Sequence, residues 1–175
     1  MFADVLIVGA GQAGLQTASS LRENGFTGRI VMVGEEGRQP YQRPPLSKGQ
    51  MIATTDPAAL AIKPPAFFAQ SRIELQLGCR VAEISSDHRS IVLEDGRRLM
   101  CGRLIIATGS RNRSIDVVGS NLPGVMYLRT EKEAWTLHHE LRPGRRIVIV
   151  GGGLIGLEIA AVGAGCGAEV TVVEA

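Results

Sequence analysis

Two short glycine-spaced runs are the residues best able to do chemistry in this sequence. Gly9-Ala10-Gly11-Gln12-Ala13-Gly14 and Gly151-Gly152-Gly153-Leu154-Ile155-Gly156 each read G-x-G-x-x-G. In such a run the first glycine permits a tight turn, and the second lets the backbone approach a pyrophosphate. The third lets a helix pack against the preceding strand. The helix that follows then offers unpaired N–H groups and a partial positive charge to an anion. An acidic residue follows each run near the expected offset of about 20 positions, Glu35 after the first and Glu174 after the second. A carboxylate there accepts hydrogen bonds from ribose hydroxyls and repels a 2′-phosphate. The duplication points to two adenine dinucleotides on two related units, the natural pairing being a flavin with a nicotinamide dinucleotide.

The elements that must hold these runs are written around them. Asp4-Val5-Leu6-Ile7-Val8 reads as a buried strand, a helical stretch reaches about Asn24 and stops at Gly25, and a second strand spans Arg29 to Val33. The second copy repeats this grammar with a strand from Arg146 to Val150, a helix from about Leu154 to Gly163 and a strand from Glu169 to Val173. Each copy is a βαβ unit with its glycine run between strand and helix. Between them, Pro40 to Lys48 is a proline-broken loop, and Asp56 to Gln70 reads as loop and short helix. Ile73 to Leu77, Val81 to Ser85, Ser90 to Glu94 and, after the Asp95-Gly96 turn, Arg98 to Cys101 suggest a small antiparallel meander. Leu104 to Ala107 is a further buried strand running into Thr108-Gly109, and Thr130 with Glu133 forms a capping box for a helix to about Leu141.

Composition closes off several other classes. The 175 residues carry 19 Lys+Arg against 17 Asp+Glu, a formal net charge of +2, so nothing electrostatic points to nucleic acid or an anionic membrane. Hydrophobic residues at 45% suit a globular core, and aromatics at 4% are too few for a base-stacking platform. Glycine is the outlier at 22 residues, six of them at the G-x-G-x-x-G positions of the two runs. Cys79, Cys101 and Cys166 are an odd, widely spaced set without ligand pairing, which excludes a disulfide framework and a zinc site and fits the cytoplasm. The N-terminus lacks the basic and apolar pattern of a signal peptide. Ile147 to Ala168 has one charge, Glu158, and could pass for a membrane span. Its seven glycines and change of period read instead as a strand followed by a helix. His88, His138 and His139 form no metal constellation and are expected at the surface, as are the Arg97-Arg98 and Arg145-Arg146 doublets, while Trp135 is expected to pack.

The sequence resembles the FAD-dependent pyridine-nucleotide oxidoreductases, and among them the ferredoxin and rubredoxin reductases that serve oxygenases and cytochromes P450. The matching pieces run in order along the whole chain: both glycine runs, Glu35, Pro40 to Lys48 with its Arg43-Pro44-Pro45-Leu46-Ser47-Lys48 core, Ala107-Thr108-Gly109, and Leu157-Glu158 after the second run. No cysteine precedes Cys79, so the dithiol relay of the disulfide reductases in the same superfamily is excluded. The resemblance implies an α/β fold of two Rossmann-like FAD/NAD(P)-binding units with an antiparallel β-meander insertion. It implies a first domain over 1–112 lacking a later segment, and the start of an NAD(P)-binding domain over 113–175. It implies that Gly9, Gly11, Ala13 and Gly14 line the phosphates of FAD, that Glu35 holds its ribose, and that Val81, Thr108, Gly109 and Arg129 complete the site. Arg43 and Lys48 would lie over the dinucleotide, with Lys48 nearest the flavin ring and paired with Glu158 as the two catalytic residues. Gly151, Gly153, Ile155, Gly156 and Glu174 would bind NADH, the preference over NADPH resting on Glu174.

The implied activity is hydride transfer from NADH to FAD, then single electrons to a ferredoxin or rubredoxin, with no resident metal. Monodehydroascorbate, oxygen or a nitrite reductase subunit are rival acceptors. The end of the sequence at Ala175, inside the second unit, also leaves open a nucleotide-binding fragment without activity of its own.

Overall fold

The computed structural model describes residues 1–49 and 57–175. The chain divides into two compact units, Met1–Tyr41 with Ala61–Ser110 and Gln42–Leu60 with Arg111–Ala175. Segment 42–60 lies inside the range expected for the first domain, yet it groups with the second unit.

In the first unit, β1 (Phe2–Val8) leads through the glycine run into α1 (Gln12–Glu23), and β2 (Ile30–Gly34) returns beside β1. A short α2 (Pro65–Gln70) precedes β3 (Ile73–Leu77), followed by β4 (Val81–Ile84), β5 (Ser90–Leu93) and β6 (Arg98–Ile106). All six strands share one sheet in the order β3-β2-β1-β6-β5-β4. The central strands are parallel, with Val5 opposite Ile30 on one side and Leu6 opposite Leu104 on the other.

The sheet corrects two expectations. Ile73 to Leu77 is not part of the meander but pairs parallel with β2. Period-2 alternation identifies a strand without fixing its direction, and β3 reaches the sheet edge by way of α2. Nor are Arg98–Cys101 and Leu104–Ala107 separate strands. They form one nine-residue β6, whose beginning pairs antiparallel with β5 while its length runs parallel to β1. Gly102 does not interrupt it, because a Cβ there would sit 3.0 Å from the Asp4 carbonyl oxygen, and its absence lets the strands close up. The antiparallel part is therefore the edge of the main sheet.

Both faces of β1 and β2 are covered, which explains their unbroken apolar runs. Val5, Ile7, Ile30 and Met32 pack with Leu15 and Ala18 of α1 and Phe68 of α2. Leu6, Val8, Val31 and Val33 cluster with Ile91, Leu93 and Leu99 of the antiparallel strands. Each such side chain contributes about 1.5–3 kcal/mol when fully buried.

In the second unit, Pro44–Ser47 and Pro57–Leu60 are short 3-10 turns, the first begun by two prolines whose fixed φ suits a helical start. α3 (Glu131–Glu140) begins at the reciprocal Thr130–Glu133 capping box that the sequence signals. β7 (Arg146–Val150), α4 (Leu154–Gly165) and β8 (Glu169–Val173) make a parallel βαβ, with Arg146 opposite Glu169 and Val150 opposite Val173. The membrane-like stretch is thus a strand and a 12-residue helix. Among the described residues no helix is long and apolar enough to cross a membrane. Ile159 of α4 packs with Leu137 and Leu141 and with Ile147 and Ile149, while Val148 and Val150 point to the uncovered face.

Candidate functional site

Each glycine run sits at the carboxyl end of a parallel strand and opens a 12-residue helix. In the first, Gly9 has φ +119°, a value an L side chain avoids, and a Cβ there would lie 2.1 Å from the Ala107 carbonyl oxygen. Gly14 must also be glycine, because its Cβ would lie 2.1 Å from the Gly9 carbonyl oxygen. Gly11 is different: nothing lies within 4 Å of the position its Cβ would take. The fold requires the outer two glycines and leaves the middle one unexplained by anything within the protein.

The second run repeats this division of roles. Gly151 has φ +105°, and Gly156 would bring a Cβ within 2.4 Å of the Gly151 carbonyl oxygen, whereas Gly153 again faces open space. Neither helix has a side-chain cap or an acidic residue in its first turn; the positive end of α1 is uncompensated, while just before α4 the Glu174 carboxylate accepts from the Gly152 amide. A bare backbone cradle at a helix N-terminus fits the diphosphate of a dinucleotide, and in both copies the open middle glycine is where that group would approach.

Other predicted residues gather at the same strand ends. Glu35 follows β2 and is exposed, with Oε1 3.7 Å from Arg80 Nε. Arg80 also lies 3.5 Å from Glu94 and directly precedes Val81, so Glu35, Gly78 to Arg80, Leu93, Glu94 and Asp95 line one shallow pocket. Thr108 and Gly109 are exposed just past β6, beside the Gly9 turn through the Ala107 amide, which donates to the Val8 carbonyl at 2.7 Å. Ala13 is exposed on the first turn of α1. In the second unit the Glu174 carboxylate accepts from the Gly152 amide and so lies directly against the glycine run, and Ile155 is exposed on the first turn of α4.

Arg43, Lys48 and Arg129 belong to the second unit, where Arg43 donates to the Arg129 carbonyl. Lys48 Nζ lies 3.0 Å from both Glu158 oxygens and 3.1 Å from the Pro44 carbonyl. The pair that the family resemblance implies is therefore formed, between side chains 46% and 37% exposed. The Ser47 hydroxyl donates to Glu158 as well. Ser47 first, and Lys48 second, hold the Glu158 carboxyl below the usual carboxylate range.

Sequence reasoning passed over Ser47, although it stands next to Lys48 in the most distinctive segment, and over Arg80. It also misplaced His138. That ring is buried, not at the surface, and its Nε2 donates to the Leu46 carbonyl at 3.0 Å. Burial pushes its pKa below the usual imidazole value, with the Leu46 hydrogen bond opposing. His138 is one residue beyond Leu137 on α3, so it flanks the apolar stripe and turns inward, while His139 stays exposed. The three cysteines are free and none lies on α1. Among the described residues no cluster of metal-ligating side chains occurs.

The family model for pyridine nucleotide-disulphide oxidoreductases matches residues 3–175. The chain belongs to that family. Within this oxidoreductase family it is 46% identical over 171 residues to rhodocoxin reductase of Rhodococcus erythropolis, covering 98% of this chain and 40% of that one. The crystal structure of the ferredoxin reductase for the CYP199A2 system of Rhodopseudomonas palustris superposes with a TM-score of 0.90 at 41% identity, over 97% of this chain and 42% of that one. The reductase in the covalent putidaredoxin reductase–putidaredoxin complex gives a TM-score of 0.88 at 36% identity, over 97% and 42%. The chain thus spans less than half the length of these family members.

Proposed function

We propose that this chain carries the FAD-binding and the leading NAD-binding elements of an NADH:ferredoxin or NADH:rubredoxin oxidoreductase acting in the cytoplasm. The observation that carries this reading is the open middle glycine, Gly11 and Gly153, in two otherwise sterically required loops. Relatives named as reductases of rhodocoxin and of a P450-system ferredoxin support the direction of electron flow and the class of acceptor.

FAD held at this site would supply the redox chemistry, two-electron reduction by NADH and one-electron release. The chain's own residues bind and orient. Gly9, Gly11, Ala13 and Gly14 cradle the flavin diphosphate at the head of α1, Glu35 takes the ribose hydroxyls, and Val81, Thr108, Gly109 and Arg129 complete that site. Gly151, Gly153, Ile155 and Gly156 do the same for NADH at the head of α4. Glu174, already against the loop, accepts from the ribose and disfavours a 2′-phosphate. Arg43 and Lys48 set positive charge toward the dinucleotide, and Glu158 holds the lysine in an ion pair.

Flavin titration tests the reading. The purified chain takes up FAD and turns yellow, and Gly11→Val weakens that uptake by about tenfold or more without changing the far-UV spectrum or the urea midpoint. A chain that stays colourless with excess FAD, or a Gly11→Val variant that binds as tightly as its parent, overturns it. With NADH, the loaded protein reduces a ferredoxin or rubredoxin; turnover confined to oxygen or monodehydroascorbate transfers the assignment to those acceptors.

A further inference from the structure

Two groups of the second unit have different standing. Lys48 and Glu158 are partly exposed, and an ion pair so placed ordinarily contributes little and exchanges readily with water. Ser47 is only 5% exposed and ends the proline-started turn Pro44–Ser47, which backbone hydrogen bonds tie: the Leu46 amide donates to the Arg43 carbonyl at 2.9 Å and the Lys48 amide to the Pro45 carbonyl at 3.0 Å. The Leu46 carbonyl of the same turn is held by His138. A buried hydroxyl on a pinned turn has few acceptors in reach, and of the two here the Glu158 oxygen is much nearer than the Pro44 carbonyl at 3.4 Å.

We propose that Ser47 is the positioning residue of the Lys48–Glu158 pair: its hydroxyl occupies a lone pair of Glu158 Oε2 and turns the carboxylate so that both oxygens face the ammonium. The lysine's three donors are then all engaged, two on Glu158 and one on the Pro44 carbonyl. Without Ser47 the carboxylate is free to rotate about its terminal bond toward water, and the pair becomes an ordinary surface contact. The geometry stands on the chain alone; its bearing on the flavin rests on the function proposed above.

The test reads the carboxylate directly and needs no flavin. The side-chain carboxyl carbon of Glu158 is followed by NMR through an acid titration in the full chain, as the parent and as Ser47→Ala, Ser47→Thr and Lys48→Met. In Ser47→Ala the Glu158 midpoint moves up toward the ordinary carboxylate range. Ser47→Thr, which keeps the hydroxyl, restores the parent midpoint, and Lys48→Met also moves it up. An unmoved midpoint in Ser47→Ala with the fold intact overturns the proposal, as does a Thr variant that folds but titrates like Ala. In the FAD-loaded protein, Ser47→Ala slows flavin reduction by NADH about three- to tenfold while FAD affinity is kept within about twofold. A parent that binds no FAD refutes the functional reading and leaves the titration result standing.

Discussion

The two βαβ units place the same loop in very different surroundings. Both helices are 12 residues long, both first glycines have positive φ, both third glycines abut the first glycine's carbonyl, and both middle glycines face open space. Yet Ile7 of the first strand is 0% exposed, while Val148 of the second is 64% exposed and Leu154, the first residue of α4, is 84% exposed. The second strand, Arg146-Ile147-Val148-Ile149-Val150, is as apolar as a strand buried on both faces, although only the side bearing Ile147 and Ile149 is packed. The comparison teaches that the anion cradle is a local property of strand, turn and helix. The stability of the unit holding it comes from what covers the sheet.

The strongest way to break the likeness is at the third glycines. Gly14→Ala and Gly156→Ala each force a methyl to within 2.1 Å and 2.4 Å of a backbone oxygen, which neither loop can absorb without shifting. Each is expected to abolish binding of its own dinucleotide. Gly14→Ala, anchored in a closed core, also lowers the unfolding free energy by about 3 kcal/mol or more. Urea denaturation beside nucleotide titration separates the two effects, and equal stability losses in both variants would contradict the division of labour.

A second comparison should separate the strands themselves. Ile7→Ala removes a side chain closed in by α1 and α2 and is expected to cost about 2–5 kcal/mol, whereas Val148→Ala on the uncovered face stays within about 0.5 kcal/mol. Matching urea midpoints for the two variants would mean that the exposed face is covered in solution.

The smallest effect is electrostatic. Glu74 in the first unit is held below the usual carboxylate range by its hydrogen bond to Arg29, and Glu158 in the second by Ser47 and then Lys48. A depressed folded pKa contributes stability above the unfolded carboxylate value, and that contribution is lost as pH falls through the folded value. Urea midpoints should therefore fall between about pH 6 and 3, and Glu74→Gln and Glu158→Gln should each flatten part of that slope. A variant that reproduces the parent's slope would show its carboxylate to be as protonatable folded as unfolded.

The loops, both βαβ units and the capped helix were legible because each is encoded locally, and the Lys48–Glu158 pair because the family resemblance spans both residues' separate motifs. Strand direction was not: Ile73 to Leu77 alternates identically whether it pairs with β2 or with the meander, and only the crossover decides. The fusion of β6 across Gly102 was illegible for a related reason, since the glycine that looks like punctuation answers to Asp4, far away in the chain. His138 was misread because a histidine's position relative to an apolar stripe is marginal, and the Leu46 carbonyl that settles it is 92 residues distant. Ser47 was in plain sight, but its role needs Glu158 in space.

The interleaving of the two units sets an order of events during synthesis. Lys48 and Glu158 are separated by 110 residues, and the ribosome adds about 5–20 residues per second. For something like 5 to 20 seconds the Pro44–Lys48 turn exists without its carboxylate, and for most of that time without the Arg129 carbonyl or the histidine as well. β1 also waits for β6, its partner from Phe2–Met100 to Val8–Ile106, but that wait begins and ends earlier in the chain. Once β6 has emerged and before Glu158 has, the nascent chain thus holds a completed first sheet and a turn without its carboxylate, so that its first glycine cradle is formed before its most distinctive segment has an ion-pair partner.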